Sequence, residues 1–207
     1  MKKRLSFLMV SLMILGTSFL TSCGGSDGSN VPTAEDIQAA INNMAGYYTG
    51  SFETGFIENN LIVDRTDLPD LQWQADAEAI ILRNFPLSAL ARGIQGNTEL
   101  AEAVGSSTET KNVILKYYLC YSAFNEYAFT LAADEISFSV PQGDRSIAVK
   151  AEIYENPSYT WVQGDNNSQR IQMVITDMFA NNMPVQFKPM AFYLSSKKKS
   201  STGFDLF

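Results

Sequence analysis

Tyr47-Tyr48-Thr49-Gly50-Ser51-Phe52-Glu53-Thr54-Gly55-Phe56 alternates with a period of two. Tyr48, Gly50, Phe52, Thr54 and Phe56 fall on one face, and Tyr47, Thr49, Ser51 and Glu53 on the other. That is the pattern of a strand with two different sides. Asn59-Asn60 follows, a pair that tolerates the positive φ angles of a tight hairpin turn, and Leu61-Ile62-Val63 leads back.

Immediately upstream the period is helical. Thr33-Ala34-Glu35-Asp36 resembles a capping box with Asp36 in the third position, and Ile37, Ala40, Ile41 and Met44 recur at i, i+3, i+4, i+7. One amphipathic helix of about three turns is predicted, ended by Gly46, with an apolar stripe that closes one end of a sheet or barrel.

Downstream, Trp73, Ala75, Ala77, Ala79 and Ile81 alternate with Gln72, Gln74, Asp76 and Glu78, which predicts a strand with one wet face. Pro86 stops it. Leu87, Leu90, Ala91 and Ile94 have helical spacing, and Asn97 is placed to cap a short helix through Val104. The run from Val113 to Tyr121 is apolar on both faces and is expected to be a central, doubly covered strand. Strands are then expected over 124–131, 136–140, 146–154, 159–163, 170–178 and 185–194, with turns at Pro141–Asp144, Asn156-Pro157 and Gly164–Asn167. The fold class expected is mainly β, an antiparallel barrel or sandwich with an N-terminal helix and a small helical insertion.

Residues 1–22 read as an export leader. Lys2, Lys3 and Arg4 precede an uncharged run from Leu5 to Leu20, too short for the ~20 residues of a spanning helix. An uncleaved anchor, or ordinary cleavage that leaves Cys23 a plain thiol, are the alternatives. Residues 23–32 continue as Cys-Gly-Gly-Ser-Asp-Gly-Ser-Asn-Val-Pro, a flexible tether that reaches roughly 15–18 Å beyond the cysteine. Residues 33–207 form a single domain.

The leader holds three of the 15 basic residues and none of the 22 acidic ones, so the mature balance is 12 against 22, or −10. Such a domain is unsuited to nucleic acid and to electrostatic attachment to anionic lipid. Lys197-Lys198-Lys199 is its one basic run. Cys120 is the one cysteine inside the domain, so no internal disulfide forms. There is no histidine, which excludes Ser-His-Asp and Cys-His catalysis, HExxH zinc sites and histidine proton shuttles. Carboxylate, lysine or tyrosine chemistry, and metal binding through oxygen ligands, stay open. No cofactor or metal is expected.

Leu20-Thr21-Ser22-Cys23 resembles the lipobox of bacterial lipoproteins. The resemblance implies cleavage before Cys23, acylation of its thiol with palmitate-type chains, and a stable anchor in the cell envelope, expected at the outer membrane on its periplasmic or surface side. The whole chain is similar in architecture to uncharacterised lipoproteins of Bacteroides-type genomes: a lipobox, a linker and one β-rich domain, with no activity to carry over. The helix entering the first strand and the Gly46-Tyr47-Tyr48 start resemble a lipocalin layout, without the Gly-x-Trp form of that signature.

The residues put forward for ligand binding are aromatic: Tyr117 and Tyr121 in one cluster, Trp161 in another. Such side chains line apolar pockets or stack on sugar rings, and they also fill β cores. Asp76 and Glu78 at i, i+2 are expected on one strand face roughly 7 Å apart, within reach of glycoside hydrolysis. Asp64, Asp67 and Asp70 are expected in a loop with Pro69, in a spacing that matches no calcium loop. The function expected is a non-catalytic module that binds a small apolar ligand or a glycan. The alternatives are docking on an outer-membrane protein complex by a sheet edge or face, and carboxylate-dependent hydrolysis.

Overall fold

The computed structural model describes residues 32–123, 126–156, 158–165, 167–197, 199 and 200, and for 119–123, 126, 127, 199 and 200 the backbone alone. Helix α1 (Ala34–Met44) is followed by β1 (Gly46–Glu58), β2 (Leu61–Ala75) and β3 (Ala79–Pro86). A 3-10 helix (Leu87–Gly93) and α2 (Thr98–Gly105) come next, then β4 (Thr110–Ala123), β5 (Glu126–Ala133), β6 (Ile136–Gln142) and β7 (Arg145–Ile153). β8 (Trp161–Gly164), β9 (Gln169–Ala180), β10 (Met183–Val185), β11 (Met190–Ser196) and β12 (Lys199–Ser200) complete the chain.

The strands run antiparallel in the order β11-β1-β2-β3-β4-β5-β8-β9, and β9 pairs back onto β11. That last pairing closes eight strands into a barrel and decides between barrel and sandwich. β9 is long enough to serve twice. Its first half, from Gln169 to Ile175, lies between β8 and β11. Its second half leaves the ring and carries β7 and β10, with β6 on the far side of β7.

The period of two in β1 turns Tyr48, Phe52 and Thr54 inward, each at most 1 % exposed. Trp73, Leu82, Leu115, Phe129, Ile171 and Phe192 come in from the other staves and belong to the same continuous core. Phe52, Phe85 and Phe192 form a ring triangle with centroids 5.1–5.9 Å apart. Side chains therefore fill the barrel where a calyx would hold an apolar ligand.

Both ends are stopped by short helices. The Thr33–Asp36 capping box forms as the sequence indicates: Thr33 Oγ1 accepts from Asp36 N, and Asp36 accepts from Thr33 N. Ala40, Ile41 and Met44 then join the core at the end where β1 begins, and the Tyr48 hydroxyl donates to Met44 O at 2.7 Å. β3 runs parallel in space to β1, so the segment after it lies at the opposite end. There Leu87, Leu90, Leu100 and Val104 are buried, and Asn97 accepts from Leu100 N to start α2.

Four expectations are corrected. The alternation from Trp73 to Ile81 is a hairpin, not one strand: Ala75 pairs with Ile80 and Trp73 with Leu82, so Ile80 and Leu82 point inward after the turn and Ile81 stands opposite Gln74 on the outer face. Four residues separate the paired Ala75 and Ile80, so the inward phase shifts by one across the turn, and the apolar Ala79 and Ile81 mask that shift in the sequence. Asp64, Asp67 and Asp70 lie in β2, not a loop. Pairing jumps from Thr54–Thr66 to Phe56–Val63, and Asp64 takes φ 50° in that bulge. The strand from Val113 is not covered on both sides, since Ile114 and Tyr118 are 48 % and 72 % exposed on the outer wall. The 185–194 strand is two, β10 and β11. Asn181-Asn182, at φ 49° and 64°, makes a second tight turn of the Asn59-Asn60 kind ahead of β10.

Candidate functional site

The closed ladder fixes which side chains share the outer wall. Glu53, Tyr193, Gln172 and Trp161 form one row across β1, β11, β9 and β8. Ser51, Ser195, Arg170 and Gln163 form the next row. These residues point outward because their neighbours Phe52, Leu194, Ile171 and Val162 point in.

Trp161 and Tyr193 are half-buried and meet edge to face, with centroids 6.5 Å apart and planes at 68°. Gln172, between them in the ladder, donates through Nε2 to Tyr159 O at 2.9 Å. Arg170 Nη2 donates to Gln163 Oε1 at 3.1 Å, and Glu53 takes an ion pair from Arg65 at 3.3 Å. On the other side the hairpin of β1 and β2 overhangs the wall. Ile62 lies over Gly55, where a Cβ would come within 2.6 Å of it, and the Tyr159 hydroxyl donates to Asn60 Oδ1. The result is an aromatic step, Trp161 against Tyr193, with amide, guanidinium and carboxylate groups in the same two rows of the outer wall. Sugar rings suit such a surface, since their C–H faces stack on aromatics and their hydroxyls meet polar groups.

Tyr117 sits on the opposite side of the wall. Its ring is 5.1 Å from Phe129 inside the barrel, and its hydroxyl is buried without a hydrogen-bond partner. Burial, with the Asp76 and Tyr48 charges adding to it, pushes this phenol well above its ordinary range. Burial and Asp165 push Tyr48 up to about 12. Tyr117 and Trp161 therefore do not converge on one cavity. The Tyr121 side chain and Cys23 lie outside the described residues.

Asp76 and Glu78 do not form a carboxylate pair on a strand face. Asp76 Oδ1 accepts from Glu78 N and Ala79 N, both at 2.9 Å, and Glu78 is exposed. The hydrolase reading rested on that pair. No group of three or more metal-ligating side chains occurs among the described residues.

A second depression, about 470 Å³, opens where Ser137, Ser139, Ala148 and Lys150 face Glu109 and Lys111. Its cations are already matched. Lys150 pairs with Glu135 and Glu152, and Lys111 with Glu109. Its polar lining and paired charges describe a solvated saddle between the barrel and the β6–β7 hairpin.

The turn between β8 and β9 is tied by Asp165, whose Oδ1 accepts from Asn167 N and Ser168 N at 2.7 Å. Those bonds hold its carboxyl below the ordinary value of 3.8. A carboxylate favoured in the folded state stabilises the fold above its unfolded pKa, and that contribution is lost as pH falls through the folded pKa. Asp165→Asn is expected to flatten the fall in unfolding temperature below about pH 4. Thermal scans from pH 7 to pH 3 check it, and identical slopes for the two proteins would contradict it.

Tyr193 and Gln172 were not picked out from sequence, because only the β9–β11 register places them beside Trp161. A family model described as Domain of unknown function (DUF4840) matches residues 43–180. No curated protein and no solved structure matches the chain.

Proposed function

We propose a function for a chain that belongs to the DUF4840 family of domains of unknown function: a lipid-anchored, non-catalytic envelope module that binds glycan rings on its outer wall. The observation that carries the reading is the Trp161–Tyr193 step with Gln172, Arg170 and Glu53 around it. The filled interior favours the glycan over an apolar ligand held in a calyx. The leader and Leu20-Thr21-Ser22-Cys23 support the anchor and an outer-membrane address.

The test is binding of the full chain, extracted from membranes, to an array of bacterial and host glycans. Trp161→Ala is expected to weaken binding by about tenfold or more while leaving the unfolding temperature within a degree or two. Equal binding by both proteins would remove the outer wall from consideration. Cys23→Ser, as a separate arm, is expected to move the chain out of the membrane fraction and abolish acyl labelling. Continued labelling would refute the anchor without touching the glycan reading.

Docking on an outer-membrane protein complex has one observation in its favour. β6 ends the sheet order, with one edge unpaired among the described strands. In that reading Trp161→Ala is silent, and a crosslinker placed on β6 captures the complex.

A further inference from the structure

Towards the α2 end the wall of the molecule carries a seam. The β4–β5 ladder stops at Leu115–Ala133, and after Asp134-Glu135 the chain enters β6, which pairs with β7 instead of β4. β7 hangs on the second half of β9, so the wall there runs β9-β7-β6, then the seam, then β4-β3. The depression of about 470 Å³ lies on it, with Ser137, Phe138 and Ser139 on one bank and Glu109 and Lys111 on the other. Both banks are strand edges. Ala148, opposite Ser139, spends its N–H on Asn181 Oδ1 and its C=O on Asn181 N. In an antiparallel ladder, two such opposed residues turn their main-chain groups away from each other. Ser139 therefore presents its N–H and C=O to the seam, Ser137 does the same two residues earlier, and Pro141 adds a carbonyl. On the other bank Glu109 O accepts from Leu87 N and Tyr117 N donates to Glu78 O, so odd-numbered residues of β4 face β3. Thr110, Asn112 and Ile114 turn the other way, and no described strand pairs with them, or with β6, on the seam side.

We infer that the β4–β6 seam accepts one extended segment of a partner protein, which adds to β6 as a new strand through the main chain of Ser137 and Ser139. Such an addition rests on the docking reading, whose contact it defines, and is independent of the glycan one. Donors and acceptors that recur at every second residue match an extended backbone. The far bank limits the occupant to a single strand. A second copy offering its own β6 would bring β7 with it, into Glu109 and Lys111 across the seam. The segment is uncharged where it crosses, because the cations on the banks already have partners. Lys111 pairs with Glu109, and Lys150 with Glu135 and Glu152. Ser137, Ser139 and Ala148 are small, which leaves room over the ladder for the segment's own side chains. Native edges are commonly guarded by charge, bulge or proline. β6, Ile136–Gln142, carries no charge, and its one guard, Pro141, stands towards one end.

The probe is a phage library of random peptides, selected on the full chain in detergent micelles. Ser139→Pro removes one of the two edge donors and spares the β6–β7 ladder, since that N–H does not face β7. Selected peptides are expected to bind Ser139→Pro at least about tenfold more weakly than wild type. They are also expected to slow amide exchange at Ser137 and Ser139 by about tenfold or more. Peptides that bind both proteins equally, or leave those two amides unprotected, overturn the inference, and so does a library that yields none. Should Ser139→Pro not fold, Ser139→Lys, an exposed charge on the edge, takes its place. A dimer in sedimentation that is lost in the variant would assign the edge to a second copy and overturn the single-segment occupant. The docking reading falls separately: peptides that protect Ser137 and Ser139, with no complex captured by the crosslinker on β6, keep the seam and remove the outer-membrane complex.

Discussion

Phe85→Ala lowers the free energy of unfolding by about 3–5 kcal/mol, against a total of about 5–15 kcal/mol for a domain of this kind. Phe85 is fully buried, and its ring lies 5.7 Å from Phe52 and 5.1 Å from Phe192. The three rings come from β3, β1 and β11, so they knit the strands on both sides of β1 through the middle of the barrel. Truncating the central one leaves a hole bounded by two flat rings on hydrogen-bonded staves, which are poorly able to close in on it. Urea denaturation measures the loss. Phe56→Ala is the internal control, since Phe56 is only partly buried beneath the Lys188 ammonium, 4.3 Å from its ring centre. A loss below about 1 kcal/mol for Phe85→Ala would mean that the interior repacks freely.

Gly50→Ala is expected to be at least as damaging, for a different reason. A Cβ on residue 50 would stand 2.1 Å from Ser195 O and 2.8 Å from its carbonyl carbon. Both are backbone atoms of β11, and they have no rotamer by which to move aside. Relief requires β1 and β11 to separate at Ser51–Ser195, beside the Ser196 hydroxyl's bond to Thr49 O. Overpacking of this kind costs about 3 kcal/mol or more. The readout is exchange protection of β1 and β11 amides together with the denaturation midpoint. A wild-type midpoint would show that the close approach is easily relieved. By contrast, Gly143 has open space around it, and a side chain there meets nothing; its φ of 57° is the sole objection.

What the sequence made legible follows from the range of the forces involved. The α1 cap, the Asn97 cap and the Asn59-Asn60 turn are set by residues within a few positions of each other, and each appears where its residues indicate. The inward face of β1 is equally local. The Asp76–Glu78 turn escaped because its side-chain bond replaces the glycine or proline that usually marks such a place. The candidate site was legible in one residue, Trp161. Its companions Tyr193 and Gln172 are 32 and 11 positions away, and nothing in a single sequence states the register that aligns them. The bond that the Trp73 indole donates to the Gln169 side-chain oxygen was invisible for the same reason, since the two residues are 96 positions apart.

The closure of the ring by β11 has a temporal consequence. The Thr54 hydroxyl donates to Ala191 O across 137 residues, and the Ser196 hydroxyl to Thr49 O across 147. A chain made from its N-terminus therefore presents β1 with one edge open until nearly the whole domain has emerged. Such distant pairing slows folding and lengthens the exposure of unpaired strand edges. Truncation ahead of Met190 would leave that exposure permanent, with β1 and β9 as two free edges ready to pair with other chains.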